Sequence, residues 1–224
     1  MNRKKTSSTR KKRPGKAKST AKPKPIKLRI IGGSMGGRPI QYHGEEFTRP
    51  MKDNIRENLF NILGRAIKNS ICFDLFAGTG ALAFESLSRG AAKSIAIEQS
   101  RRAITYIEKT KENLGIGDEL QILNGNAFRL GADLLGPPAD DTAWIVYLCP
   151  PYILWEENLE PLVGLIRSFQ RHAPPGSVLL AETEKKFDHD KLPKGDWDLR
   201  EYGATRLAFI EPVMKCGLTL DCDL

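Results

Sequence analysis

The stretch "FDLFAGTGALAFE" holds residues that can grip a nucleotide-like ligand. Gly78 and Gly80 lie between an apolar run and a helical pattern. A ligand can approach the backbone closely there, and the first amides of the helix favour acceptors. Gly78-Thr79-Gly80-Ala81-Leu82-Ala83 fits the G-x-G-x-x-A dinucleotide pattern, and Phe76 and Ala77 open the same loop. Glu98 ends the next apolar run, 18 residues after Gly80, where a carboxylate meets ribose hydroxyls. Nicotinamide dinucleotides and S-adenosylmethionine are both bound by such loops. Asp74, four residues before Gly78, favours the second. A carboxylate there takes the ammonium of a methionine moiety, whereas a pyrophosphate gains nothing from a nearby anion. In "NGNAF", Asn126 is the natural donor to an adenine edge, with Ala127 and Phe128 beside it; a turn asparagine is the plain alternative.

A second stretch, "WIVYLCPPYILWEE", runs an apolar strand into Cys149-Pro150-Pro151-Tyr152. Two prolines fix φ and remove two amide donors, so the loop is stiff. An aromatic ring follows at once. Such a loop holds acceptors and a stacking surface in place.

The surrounding pattern says what positions these residues. From residue 70, short apolar runs alternate with helical segments: "ICFDLF", "KSIAIE", "ELQILNG", "AWIVYL" and "GSVLLAE" read as strands. "DWDLREYG" and "TRLAFIE" read as two last strands around Gly203. The expected fold is α/β: a doubly wound, mostly parallel seven-stranded sheet with a closing antiparallel hairpin. Upstream, "KLRII" and "RPIQYH" flank "GGSMGG" as a small hairpin. "TRPMKDNIRENLFNILGRAI" is an amphipathic helix with Ile55, Leu59, Ile62, Leu63 and Ala66 on one side and Arg49, Lys52, Arg56 and Arg65 on the other. The expected divisions are a disordered basic tail (1–26), a hairpin-helix extension (27–68), the main domain (69–215) and a C-terminal tail (216–224).

Charge is unevenly placed. Residues 1–27 hold 12 of the 35 Lys/Arg and none of the 27 Asp/Glu, which leaves 23 against 27 in the rest. The tail has almost nothing apolar to bury, so it cannot offset its ordering entropy. Its charge suits phosphate backbones. It is Lys-rich with no apolar face, unlike a mitochondrial presequence. The four cysteines form no CxxC pair and the three histidines are scattered, so no metal site is expected. No apolar run is long enough to span a membrane. A cytoplasmic monomer with free thiols is expected.

Together these stretches resemble the bacterial 16S rRNA (guanine-N2)-methyltransferases of the RsmD type. The resemblance rests on "RIIGGSMGGRPI", "RPMKDNIRENLFNIL", "DLFAGTGALAFESLSRGA", "AIE", the "PPY" loop and "WDLREYGATRLAFIE", from about Leu28 to Glu211. It implies a class I methyltransferase fold with S-adenosylmethionine at Gly78–Gly80, Asp74 at the methionine end and Glu98 on the ribose. It implies 16S rRNA or the 30S particle as partner, with Arg38, Arg49, Lys52 and Arg56 as candidate phosphate contacts. Tyr152 would stack on a base flipped from its helix.

The family's loop begins with Asp where this chain has Cys149. An exocyclic amine is a poor nucleophile because its lone pair is delocalised into the base. Acceptors for its N–H groups localise that pair, and a thiol is a weak acceptor. Three readings follow: a slower methyltransferase, one with another target, or an RNA-binding paralogue without chemistry. The intact Asp74, Gly78, Gly80 and Glu98 favour the first. A DNA or RNA adenine-N6 methyltransferase uses a similar loop, and a nicotinamide oxidoreductase leaves that loop and the tail unexplained.

Overall fold

Apolar runs too short for helices, each bounded by glycine or a polar turn, become the strands of one sheet. The computed structural model describes residues 28–42, 44, 50–135 and 141–212. A hairpin of β1 (Leu28–Arg29) and β2 (Pro39–Ile40) leads to α1 (Asp53–Leu63). Next come β3 (Ile71–Asp74), α2 (Ala81–Ser88), β4 (Lys93–Glu98), α3 (Arg101–Leu114), β5 (Leu120–Asn124) and α4 (Ala127–Asp133). β6 (Trp144–Leu148) is followed by α5 (Leu154–Glu157), α6 (Leu159–His172) and β7 (Val178–Glu184). β8 (Asp198–Tyr202) and β9 (Thr205–Ile210) close the fold.

The sheet order is β5-β4-β3-β6-β7-β9-β8. β9 is antiparallel to both its neighbours, and the other pairs are parallel. This is the doubly wound sheet with a closing hairpin that the alternation of runs predicts. The chain winds outward from β3 to β5 and then returns to β6 beside β3. The switch point, where ligands bind in open α/β sheets, therefore lies at the carboxyl ends of β3 and β6.

Alternation along the strands feeds hydrophobic cores on both faces of the sheet. On one face Phe73, Leu75, Val146, Leu148 and Leu179 pack on Leu162, Ile166 and Phe169 of α6. On the other, Cys72, Ile145, Tyr147 and Leu180 pack on Ile55, Leu59, Phe60 and Leu63 of α1. The hairpin-helix extension thus has no separate core, because α1 covers the sheet itself. Each such Leu or Ile buried contributes about 1.5–3 kcal/mol.

The buried side of α1 is not the stripe the sequence pattern indicates. It consists of Ile55, Arg56, Leu59, Phe60 and Leu63, while Ile62 is 40% exposed. Phe60 and Arg56 displace Ile62 because a ring and a charge both find partners at α2: Arg89, which caps the helix, lies 5.0 Å over the Phe60 ring, and Glu85 within it faces Arg56. The basic tail, Arg49 and the segment 216–224 lie outside the described residues. Among the described residues no helix is long and apolar enough to cross a membrane, and no three His, Cys, Asp or Glu cluster as metal ligands.

Candidate active site

The glycine loop after β3 is set by its backbone. Gly78 and Gly80 both have positive φ (55° and 72°), and Gly80 caps α2 without any side-chain acceptor. Glu98, at the end of β4, closes the loop from the neighbouring strand. Its Oε2 accepts from the Gly78 amide at 2.7 Å, and its Oε1 from the Ser100 amide at 2.7 Å. Ser100 in turn caps α3. Each carboxylate oxygen keeps a free lone pair for a hydroxyl.

Asp74 ends β3 beneath this loop and is 1% exposed. The Ala83 amide in the first turn of α2 faces it. Its Oδ2 has no partner. Burial, with the nearby charge of Glu98 adding, pushes its pKa up to about 7. A buried carboxylate oxygen left unpaired is costly unless a cation completes it. The ammonium of a methionine moiety is such a cation, so the residues present fit S-adenosylmethionine better than a pyrophosphate.

Asn126 is exposed at the start of α4, and its side-chain oxygen accepts from the Phe128 amide at 2.8 Å. The residue is thus a helix cap, which leaves its amide NH2 for an adenine edge. Ala127 is buried behind it. Phe76 and Phe128 meet edge to face, 5.9 Å apart, joining the glycine loop to this end of α4.

Cys149, Pro150, Pro151 and Tyr152 follow β6 at the same end of the sheet. Pro150 is buried and Pro151 exposed. Leu148 pairs with Ala181 in the parallel β6–β7 ladder, so Cys149 and Glu182 stand side by side one step further on. The Cys149 thiol is within hydrogen-bonding reach of both the Glu182 carboxylate and its amide. Burial and the Glu182 charge push the thiol pKa well up, so it is neutral. Tyr152 is half-buried, packed on the core, and its hydroxyl donates to Glu182 Oε1 at 2.8 Å. The Thr205 hydroxyl lies 3.0 Å from the same phenol oxygen. The tyrosine ring is therefore held from its polar end, with the neighbouring Ile153 51% exposed.

The N-terminal cations divide. Arg56 is corrected: it is fully buried, donates to the Arg29 carbonyl at 2.6 Å and lies 3.1 Å from Asp53 and 3.8 Å from Glu85. A guanidinium with no exposed surface cannot meet a phosphate; it ties α1 to the hairpin and α2. Arg38 is exposed and donates to the Asn113 carbonyl at 2.9 Å, and Lys52 is exposed just before α1.

The family described as Conserved hypothetical protein 95 matches residues 28–211. The chain belongs to this family. It is 35% identical to ribosomal RNA small subunit methyltransferase D of Buchnera aphidicola subsp. Acyrthosiphon pisum, over 71% of this chain and 80% of that protein. It is 30% identical to a Bacillus subtilis protein provisionally named an rRNA methyltransferase, over 81% of this chain and 97% of the other. A solved Escherichia coli structure, provisionally named a methyltransferase, superposes with a TM-score of 0.65 at 27% identity, covering 84% of this chain and 98% of that one.

In this member of the Conserved hypothetical protein 95 family, sequence reasoning overlooked two carboxylates. Glu85 accepts from the amides of Ile31 and Gly32 at 2.7 and 2.8 Å and from Arg89 at 2.8 Å, so it staples the hairpin to α2. Glu182 is the second. Its only sequence signal is a charge at the end of an otherwise apolar run, the same signal that Asp74 gives.

Proposed function

We propose that this protein methylates the exocyclic N2 of a guanine in 16S rRNA, using S-adenosylmethionine. The observation that carries the reading is the unpaired, buried Asp74 oxygen, set at the switch point that also holds the Pro150-Pro151-Tyr152 loop. The names of the family's relatives agree with it. S-Adenosylmethionine supplies a methyl group activated on a sulfonium when bound.

The chain's own residues do the rest. Asp74 holds the ammonium, and Glu98 takes ribose hydroxyls while it fixes the Gly78 amide. The Asn126 NH2 group and Phe128 meet the adenine. A backbone carbonyl of the Cys149–Pro151 loop accepts one N–H of the target amine, and the prolines keep it from moving. Tyr152, anchored through its hydroxyl, offers its ring to the flipped base. Holding the amine in line with the methyl group is positioning catalysis.

Arg38 and Lys52 offer phosphate contacts, and Arg49 and the basic tail of residues 1–26 add charge of the same sign. The 30S particle is the fitting form of the substrate, and a cytoplasmic monomer the fitting form of the enzyme. Cys149 favours one second reading, an RNA-binding relative whose chemistry is lost. Incubation with labelled S-adenosylmethionine and 30S particles, 16S rRNA or duplex DNA separates the two. Transfer to rRNA supports the enzyme; cofactor binding without transfer to any of the three contradicts it.

A further inference from the structure

We propose that Glu182 is a catalytic residue: its carboxylate accepts the hydrogen bond, and then the proton, of the target amine. The proposal rests on the methyltransferase reading above and assigns the acceptor that the Cys149 loop lacks.

The placement follows from the ladder. β6 and β7 are parallel, and Leu148 pairs with Ala181, so residues 149 and 182 are cross-strand neighbours at the carboxyl end of the sheet. Adjacent strands are about 4.8 Å apart. A group at position 182 therefore reaches the space over the loop nearly as well as one at 149. Here position 149 carries a neutral thiol, which is a poor acceptor. Position 182 carries the carboxylate.

Glu182 is held for the task. The Tyr152 hydroxyl donates to Oε1, the Trp155 indole donates to the Glu182 carbonyl, and both contacts come from the segment just after the prolines. The groups around it are few: Cys149 on β6, Tyr152 on the loop, Leu207 opposite and the Thr205 hydroxyl on β9, and Asp74 beyond Cys149 on β3. None of these is a cation. Burial raises the Glu182 pKa above its ordinary value, which makes it a stronger proton acceptor. An Asp at 149 would set a second negative charge beside it, and like charges so close do not both ionise.

The step balances. As the bond from nitrogen to methyl forms, the bond from sulfur to methyl breaks and its electron pair stays on sulfur. An N–H bond of the amine then breaks, its pair remains on nitrogen, and the proton goes to a Glu182 oxygen. Water takes it when product leaves.

The test compares wild type with Glu182→Gln. Glutamine still accepts from Tyr152, so a merely structural role survives the change. We measure kcat at saturating cofactor and rRNA from pH 8.5 down to the limit of folding, and cofactor Kd by calorimetry. The expected result is a fall in kcat of at least about a hundredfold, a Kd within about twofold, and loss of the acidic limb seen in the wild type. A Gln variant within about threefold of wild type and with the same profile overturns the proposal. So does a wild-type kcat that stays flat as pH is lowered to the limit of folding, whatever the variant's folding. Absence of transfer by the wild type overturns instead the methyltransferase reading on which this one stands.

Discussion

Arg56 and Glu85 are both fully buried, and their charges face each other: Arg56 Nε lies 3.8 Å from Glu85 Oε2. Glu85 also holds the amides of Ile31 and Gly32, and Arg56 the carbonyl of Arg29. One buried pair thus joins the hairpin, α1 and α2. Arg56→Ala leaves Glu85 short of a partner and should destabilise the protein by about 3–5 kcal/mol. Urea unfolding checks this; a loss under about 1 kcal/mol would argue that the pair is dispensable.

The same hairpin predicts a strict glycine. Gly33 has φ +77°, and a Cβ there would lie 1.9 Å from the Ser88 carbonyl oxygen. Gly33→Ala should cost about 1–3 kcal/mol and loosen the turn from α2. Thermal unfolding reads the first effect, and amide exchange at Ser34 and Met35, which bond Ser88, reads the second.

Asp74 gives opposite effects on stability and binding. Its folded pKa, about 7, lies above the unfolded value near 3.8. Between those values the folded state holds a proton that the unfolded state has lost, so stability falls as pH rises through that window. Above pH 7 the buried charge remains as a penalty in the free protein. Asp74→Asn keeps an acceptor for the Ala83 amide and removes the penalty. It should raise the free protein's stability at pH 8, by on the order of 2–4 kcal/mol. It should weaken cofactor binding by about thirtyfold or more. Unfolding and calorimetry at pH 8 read both; a variant that binds cofactor as wild type does would remove Asp74 from the site.

The pH dependence of binding has a definite sign. The cofactor's ammonium needs Asp74 ionised, and free Asp74 is protonated below about pH 7. Affinity for S-adenosylhomocysteine, which carries the same ammonium, should rise from pH 5.5 to 7 by up to tenfold per unit and level off by pH 8. Calorimetry should also find a proton released near pH 6. A Kd constant over that range would contradict the assignment.

Much of this was legible in the sequence, for identifiable reasons. The strands were, because β6 is buried on both faces and every residue of "WIVYL" is apolar. Asp74 and Glu98 were, because a charge at the end of an apolar run stands out. Arg56 was not: period alone puts an arginine on the solvent side, and only three-dimensional packing reveals Glu85 across from it. α5 was not, because its four residues directly follow the proline loop and are too few to show a helical period. Glu182 was overlooked because its partners, Cys149, Tyr152 and Trp155, are 27 or more residues away in the chain.

The tail carries a separate prediction. Residues 1–27 hold 12 Lys/Arg and no acid. Deleting residues 1–25 should weaken binding to 16S rRNA and flatten its dependence on salt, since each phosphate contact adds roughly 0.7–0.9 to the slope of log K against log salt. Filter binding at several salt concentrations measures this; an unchanged slope would mean the tail does not touch the phosphates.

The central claim is the chemistry at the switch point, and the identity of the product tests it most directly. The protein is incubated with 30S particles and S-adenosylmethionine labelled in the methyl group, and the rRNA is digested to nucleosides. Label in N2-methylguanosine from 16S rRNA is the predicted result. Label in N6-methyladenosine, or none despite bound cofactor, would contradict the account.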